Sequence, residues 1–85
     1  MHFEATKTFL KLYKKLDPEI KKQVKKALIL FQKDPSHPSL GHKKMAGQEN
    51  IYEIRISKNY RITCTKSGNT AILRKVGTHD ILSMP

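Results

Sequence analysis

The chain has 85 residues, of which 17 are Lys or Arg against seven Asp or Glu, a formal net charge of +10 with 38% hydrophobic residues. A length of this order holds one core and excludes a second, so a single domain over residues 1–85 is expected. No apolar run approaches the roughly 18 residues that span a bilayer, and Met1-His2-Phe3-Glu4 lacks the charged-then-apolar pattern of a leader, so the expectation is a cytoplasmic protein with no membrane partner.

Residues 1–5 are expected to form a short strand. A first helix follows over Thr6–Lys15, where Phe9, Leu10, Tyr13 and Leu16 recur at helical spacing and Lys7, Lys11, Lys14 and Lys15 take the other faces. Asp17-Pro18-Glu19 is a start signal: an N-cap, a proline at the first helical position and an acid in the first turn. The second helix carries Ile20, Val24, Ala27, Leu28 and Phe31 on one stripe and ends near Lys33-Asp34-Pro35. Pro35–Gly41 is a loop by composition. After Gly47 the period changes to two: Tyr52, Ile54 and Ile56 alternate with Glu53, Arg55 and Ser57, and after a turn at Lys58-Asn59, Tyr60, Ile62 and Cys64 alternate with Arg61, Thr63 and Thr65. Ser67-Gly68-Asn69 marks a hairpin turn before a strand over Thr70–Val76, which Gly77 is expected to break. Thr78–Leu82 then makes a short turn or helix. The sum is an α+β fold: an N-terminal helical hairpin packed on a small, mainly antiparallel twisted sheet, with Tyr52, Ile54, Ile56, Tyr60, Ile62 and Cys64 towards the helices. Glu53, Arg55, Arg61 and Thr63 face the other way.

The charge favours polyanions such as nucleic acid, a ribosome or an acidic protein. Lysine dominates the first half, whereas Arg55, Arg61 and Arg74 all fall in the second. Arginine grips phosphate in fixed geometry, so a sheet with one dry and one cationic face is a platform for a polyanion. Cutting RNA without a metal requires proton transfer from the 2′-hydroxyl and to the leaving 5′-oxygen, with cations balancing the phosphate. Histidine suits the proton transfers. His79, directly after the last strand in Val76-Gly77-Thr78-His79-Asp80, is the leading candidate, and Arg55 and Arg61 share a parity and so are expected on one face of the sheet. Adjacent residues on a strand alternate, so Arg74 and Lys75 are expected on opposite faces, with at most one of them in the site. His42-Lys43-Lys44 leads from the proline loop into the sheet and offers a second substrate contact, with His42 a second proton carrier. Tyr60 is read as core, with base stacking the alternative. His2 and His37 have no supporting neighbours. Cys64 has no partner and is read as a buried strand residue. No His and carboxylate spacing suits a metal, and neither metal nor cofactor is expected.

Taken together, the two-helix start, the stretch Met45–Ile62 with Tyr60-Arg61-Ile62 after a charged turn, and the ending Leu73–Leu82 with Gly77-Thr78-His79-Asp80 resemble the RelE/ParE superfamily of bacterial toxins over essentially the whole chain. The resemblance implies a toxin of a type II toxin–antitoxin system, in the branch of RelE- and YafQ-like endoribonucleases that cut mRNA, on the ribosome or free. It places His79 at the terminal catalytic position, Arg55 and Arg61 at sheet-borne cationic positions and Lys75 at a basic position before the glycine. With the reading of the residues themselves, the expected site is His79, Arg55, Arg61 and Lys75 as catalytic residues and His42, Lys43, Lys44, Asn59, Tyr60 and Arg74 as substrate contacts. His42 lies near a loop histidine of the YafQ-like branch, and Asn59 stands near the sheet turn where that branch carries an acid. The general base is open between His42, Glu53 and a lysine. The resemblance also implies an acidic antitoxin wrapped over the basic surface. The same fold hosts toxins that bind DNA gyrase, and a non-catalytic nucleic-acid-binding module is a third reading.

Overall fold

The computed structural model describes residues 1–45, 47 and 50–85; Ala46, Gln48 and Glu49, part of the stretch that carries the family resemblance, lie outside the described residues. The order is β1 (His2–Ala5), α1 (Lys7–Lys14), α2 (Pro18–Lys33), β2 (Lys43–Lys44), β3 (Ile51–Arg55), β4 (Tyr60–Ser67) and β5 (Thr70–Thr78), with 3-10 turns at Pro38–Leu40 and His79–Ser83. The strands form one mixed sheet in the order β1-β5-β4-β3-β2. β1 runs parallel to β5, with His2 opposite Thr70 and Ala5 opposite Leu73, and the other pairs are antiparallel. The class is therefore α+β. The short strand expected over residues 1–5 is β1, which takes an edge of the sheet, so the two helices follow a strand and do not open the fold as an N-terminal hairpin.

Thr6 joins that strand to α1. Its extended backbone places it at the N-cap, where its hydroxyl accepts from the Phe9 amide, and the same hydroxyl donates to the Arg74 carbonyl at 3.0 Å. The cap meets an otherwise unpaired helix amide and ties α1 to β5. α2 starts where its proline predicts, with Asp17 at the N-cap and Pro18 opening the first turn.

Val24, Ala27 and Phe31 recur on one side of α2 and, with Phe9 of α1 and Leu40 of the proline loop, pack against Ile54, Ile62, Cys64, Ala71, Leu73 and Val76. Each fully buried large apolar side chain contributes about 1.5–3 kcal/mol. Tyr52 and Ile56 pack partly against this core, as their alternation predicts, but Tyr60 is not part of it. Cys64 is a free, buried thiol, and burial, opposed by the nearby Lys66 charge, pushes its pKa up to about 11. Among the described residues no helix is long and apolar enough to cross a membrane.

Three details differ from the sequence expectation. Lys43-Lys44 forms a short edge strand on β3 instead of a loop approach. β5 continues through Gly77 to Thr78, because Gly77 pairs with Arg61 and Thr78 with Tyr60. A β-bulge interrupts the β4–β5 ladder: Thr63 pairs with Lys75 but Cys64 pairs with Leu73, leaving Arg74 as the extra residue.

Candidate functional site

Directly opposed residues of a ladder share a face, and residues two apart along a strand do too. Two adjacent rows therefore cross the face away from the helices. One runs Lys43, Glu53, Thr63, Lys75, and the next runs Arg55, Arg61, Gly77. The sheet thus brings Arg55 and Arg61 together as register partners, as their parity predicts.

The face is less open than the sequence implies. Glu53 and Arg61 are each 9% exposed, and Thr63 is fully buried. The cover is the 3-10 turn His79–Ser83 and the two residues after it. A Cβ on Gly77 would lie 2.9 Å from Ile81 Cγ2, so only glycine lets that turn lie against the strand. Beyond it, Thr63 Oγ1 and Arg74 Nε both donate to the Pro85 oxygen at 3.2 Å, and Lys75 Nζ donates to the Met84 oxygen at 2.6 Å. Arg74 and Lys75 thus reach the same segment, against the simple alternation expected of them. The bulge is the cause, since it takes Arg74 out of register, and the Thr6 hydroxyl holds the displaced carbonyl.

The two paired arginines have different surroundings. Arg61 Nη1 donates to the carbonyls of Ser57 at 2.7 Å, Tyr60 at 3.0 Å and Lys58 at 3.2 Å, while its Nε lies 3.6 Å from Glu53 Oε2. Its guanidinium holds the β3–β4 turn together. Glu53 is clasped from the other side by Lys43, whose Nζ lies 3.4 Å from Oε1, so the carboxylate sits between two cations. Arg55 is exposed and, with Gln23, Lys26 and Ser39, lines a cavity of about 280 Å³ that opens towards α2.

His79 opens the terminal 3-10 turn and is exposed. It lines a cavity of about 540 Å³ with Lys58, Asn59, Tyr60, Thr78 and Asp80. Asn59 and Tyr60, named from the sequence, are therefore brought to His79 by the pairing of Tyr60 with Thr78. Tyr60 is half-buried at this rim, outside the core that its alternation suggested, because it is the first residue of β4, where the sheet ends.

His42 lies elsewhere. Its Nδ1 is 3.2 Å from the Pro35 carbonyl, and its ring meets Phe31 edge-on at 4.9 Å and Tyr52 at 5.6 Å. The carbonyl can only accept, so Nδ1 carries the proton in the neutral ring, and Nε2 is enclosed without a partner. Burial first, and then the Lys66 charge, lower its pKa below the usual histidine value. Lys66 Nζ itself lies 4.3 Å from the Tyr52 ring centroid, a cation–π geometry. Lys44 is exposed on β2. Among the described residues no group of three or more His, Cys, Asp or Glu is placed to hold a metal ion.

Sequence reasoning gave no role in the site to Lys58, Met84 or Pro85, and read Thr63 only as a residue of the outer face. Lys58 was visible as part of the turn preceding Tyr60. The contacts of Met84 and Pro85 have no local signal, since the Thr63–Pro85 bond spans 22 residues.

Two helices and a five-strand mixed sheet, with a basic face and a cavity at the terminal histidine, define the class as a small α+β domain. The model of the ParE-like toxin domain matches residues 18–80, and the chain belongs to that family, within the RelE/ParE superfamily. A chain of the RelB–RelE antitoxin–toxin complex from Methanococcus jannaschii is 32% identical, with 96% of this chain and 99% of that chain covered and a TM-score of 0.76. YafQ from E. coli strain BL21(DE3) is 12% identical over 94% of each chain, with a TM-score of 0.77. A YoeB/ParE toxin from Agrobacterium tumefaciens is 14% identical over 93% of this chain and 99% of that chain, with a TM-score of 0.78. The last two show likeness of fold alone. No curated protein matches the chain.

Proposed function

We propose that the protein is a single-domain toxin of a toxin–antitoxin system that acts as a metal-independent endoribonuclease on mRNA, on the ribosome or free, and so inhibits translation. The observation that carries this reading is the cavity in which exposed His79 meets Lys58, Asn59 and Tyr60. In the proposed reaction the 2′-hydroxyl attacks the adjacent phosphorus, a 2′,3′-cyclic phosphate forms, and the P–O5′ bond breaks. His79 gives its proton to the departing 5′-oxygen. Lys58 and the cations of the neighbouring rows, Arg55 and Lys75 among them, balance the phosphate charge. Asp80 lines the same cavity and is the carboxylate there able to take the 2′-hydroxyl proton. His42 is disfavoured as the base because its Nε2 is enclosed, and Glu53 because two cations hold it. Arg61 becomes a positioning residue that fixes the turn forming one wall of the cavity, and Tyr60 offers a ring on which a base can stack.

An acidic antitoxin is the proposed partner. Support comes from the net charge of +10, from exposed Leu10 and Ile29 on the helices, and from the relative solved with its antitoxin.

The test is inducible expression in bacteria, wild type against His79→Ala, with mRNA ends mapped within minutes. Rapid cleavage that falls by at least about a hundredfold in the variant, the usual scale for general acid–base catalysis, supports the reading. Growth arrest with intact mRNA and inhibited supercoiling would replace it with gyrase binding.

A further inference from the structure

Gln23, Lys26, Ala27 and Leu30 recur at helical spacing along one side of α2, and with Ile56 and Ser57 at the end of β3 they enclose a cavity of about 280 Å³. Ala27, Leu30 and Ile56 make part of its wall apolar. Gln23 lines it too, and its Oε1 is enclosed without a hydrogen-bond partner among the described residues. Native structures pair nearly all such acceptors, because an unmet one is costly. Arg55 forms another side. A Cβ added to Gly41, whose φ is +51°, would lie 3.5 Å from Arg55 Cβ and 3.7 Å from its Nε, so the side chain runs along the proline loop. Neither ion pair among the described residues uses its guanidinium. No carboxylate lines the cavity. Its size is at the low end of the roughly 300–1,000 Å³ of ligand pockets, too small for a helix or strand of a partner and suited to one flat ring.

We propose that this cavity takes one adenine base of an RNA strand, with Gln23 as the residue that reads it. This rests on the reading of the protein as one that acts on RNA. A glutamine carboxamide sets an acceptor beside a donor, and its recurrent base partner is adenine, whose N6–H donates while N7 accepts. The last torsion of glutamine is soft, so a small turn of the carboxamide brings the unmet Oε1 to the N6 amine. The apolar wall receives the ring, and the Arg55 guanidinium offers a plane on which it stacks without giving up its charge. The position suits a strand that also reaches His79. Arg55, Ile56 and Ser57 line this cavity, and the next three residues, Lys58, Asn59 and Tyr60, line the one at His79. A single turn, held by Arg61 through the carbonyls of Ser57, Lys58 and Tyr60, thus joins two places for neighbouring nucleotides.

The experiment titrates the full chain with 2′-O-methyl RNA trinucleotides, uridine on either side of a variable middle base, which bind but cannot be cut. The middle base is adenine, unsubstituted purine (the same ring without the N6 amine), guanine, cytosine or uracil. Amide NMR gives the dissociation constants and follows the Gln23 side-chain amide. Adenine is expected to bind at least about fivefold more tightly than unsubstituted purine, the worth of one hydrogen bond, and more tightly than the other three bases. The Gln23 amide should shift as the adenine probe saturates. Gln23→Leu should erase the difference between adenine and purine while leaving the melting temperature unchanged or raised, since it removes an unpaired buried acceptor. Equal affinity for adenine and unsubstituted purine, preference for another base, or a Gln23 amide unmoved at saturation would each overturn the proposal. So would failure of every probe to bind, which would leave the cavity to a side chain of a partner protein. A Gln23→Leu chain that melts lower yet still prefers adenine would give Gln23 a structural role only. The measurements on the unaltered chain decide the matter even if the variant does not fold. Adenine preference with no mRNA cutting in cells would remove the nuclease reading and leave the base pocket standing; cutting that depends on His79, with no adenine preference, would do the reverse.

Discussion

Arg55 and Arg61 face each other across the β3–β4 ladder, yet their surroundings predict opposite consequences of substitution. Arg61 is almost buried, bridges three carbonyls of one turn and sits beside a buried carboxylate. Removing it leaves those acceptors and Glu53 without their donor, which costs on the order of 3 kcal/mol. Arg61→Ala should therefore lower the melting temperature and denaturant midpoint clearly, and any loss of RNA cutting must be read against the folded fraction. Arg55→Ala, at an exposed position, should change stability by no more than about 0.5 kcal/mol. Equal melting temperatures for the two variants would show that the Arg61 turn bonds contribute nothing net. A drop in cutting by folded Arg55→Ala would assign that side chain to the substrate.

At the scale of elements, the terminal 3-10 turn depends on one missing side chain. It carries His79, and it lies against β5 only because Gly77 has no Cβ; an alanine there would meet Ile81 Cγ2 at 2.9 Å. Relief requires Ile81 to leave its rotamer or the turn to move. Gly77→Ala should cost about 1–3 kcal/mol as an overpacked contact and displace His79 from the cavity it shares with Tyr60. Ile81→Ala added to it should recover much of the loss, and a double-mutant cycle by thermal melting measures the coupling. If the two effects simply add, the turn is not held by this contact. The Thr6 hydroxyl belongs to the same scale: one group caps α1 and holds the Arg74 carbonyl at the bulge, so the N-terminal helix and the geometry of the basic face are mechanically linked.

At the scale of the whole molecule, His42 makes stability depend on pH. Its ring is wedged against Phe31 and Tyr52 from α2 and β3, with Lys66 of β4 as the nearby charge and the Pro35 carbonyl as its hydrogen-bond partner. Charging the ring would place a second N–H at the enclosed Nε2 beside a lysine. The folded-state pKa is lowered, so the folded protein binds this proton less readily than the unfolded chain does. Stability from this source is present above the unfolded pKa of about 6.5 and is lost as pH falls through the lowered folded value. Melting temperature should fall below about pH 6.5 in the wild type. In His42→Phe, which keeps the aromatic contacts without the titration, that part of the pH dependence should disappear; an unchanged profile would place the acid sensitivity elsewhere.

The sequence by itself determined the two helices and the three long strands, the core stripe of α2, the alternation that buries Ile54, Ile62 and Cys64, and the shared face of Arg55 and Arg61. These follow from periodicity and parity, which are local properties of the chain. It also carried the family, through the segments around Tyr60-Arg61-Ile62 and Gly77-Thr78-His79-Asp80. Only the tertiary structure decided that β1 joins β5 in parallel, that Tyr60 leaves the core for the His79 cavity, that His42 is enclosed among aromatic rings, and that Arg74 and Lys75 meet one segment. Each of these depends on which distant residues the sheet brings together. A one-residue bulge overrides alternation without any local mark, and a bond from Thr63 to Pro85 exists only once the chain has folded back on itself.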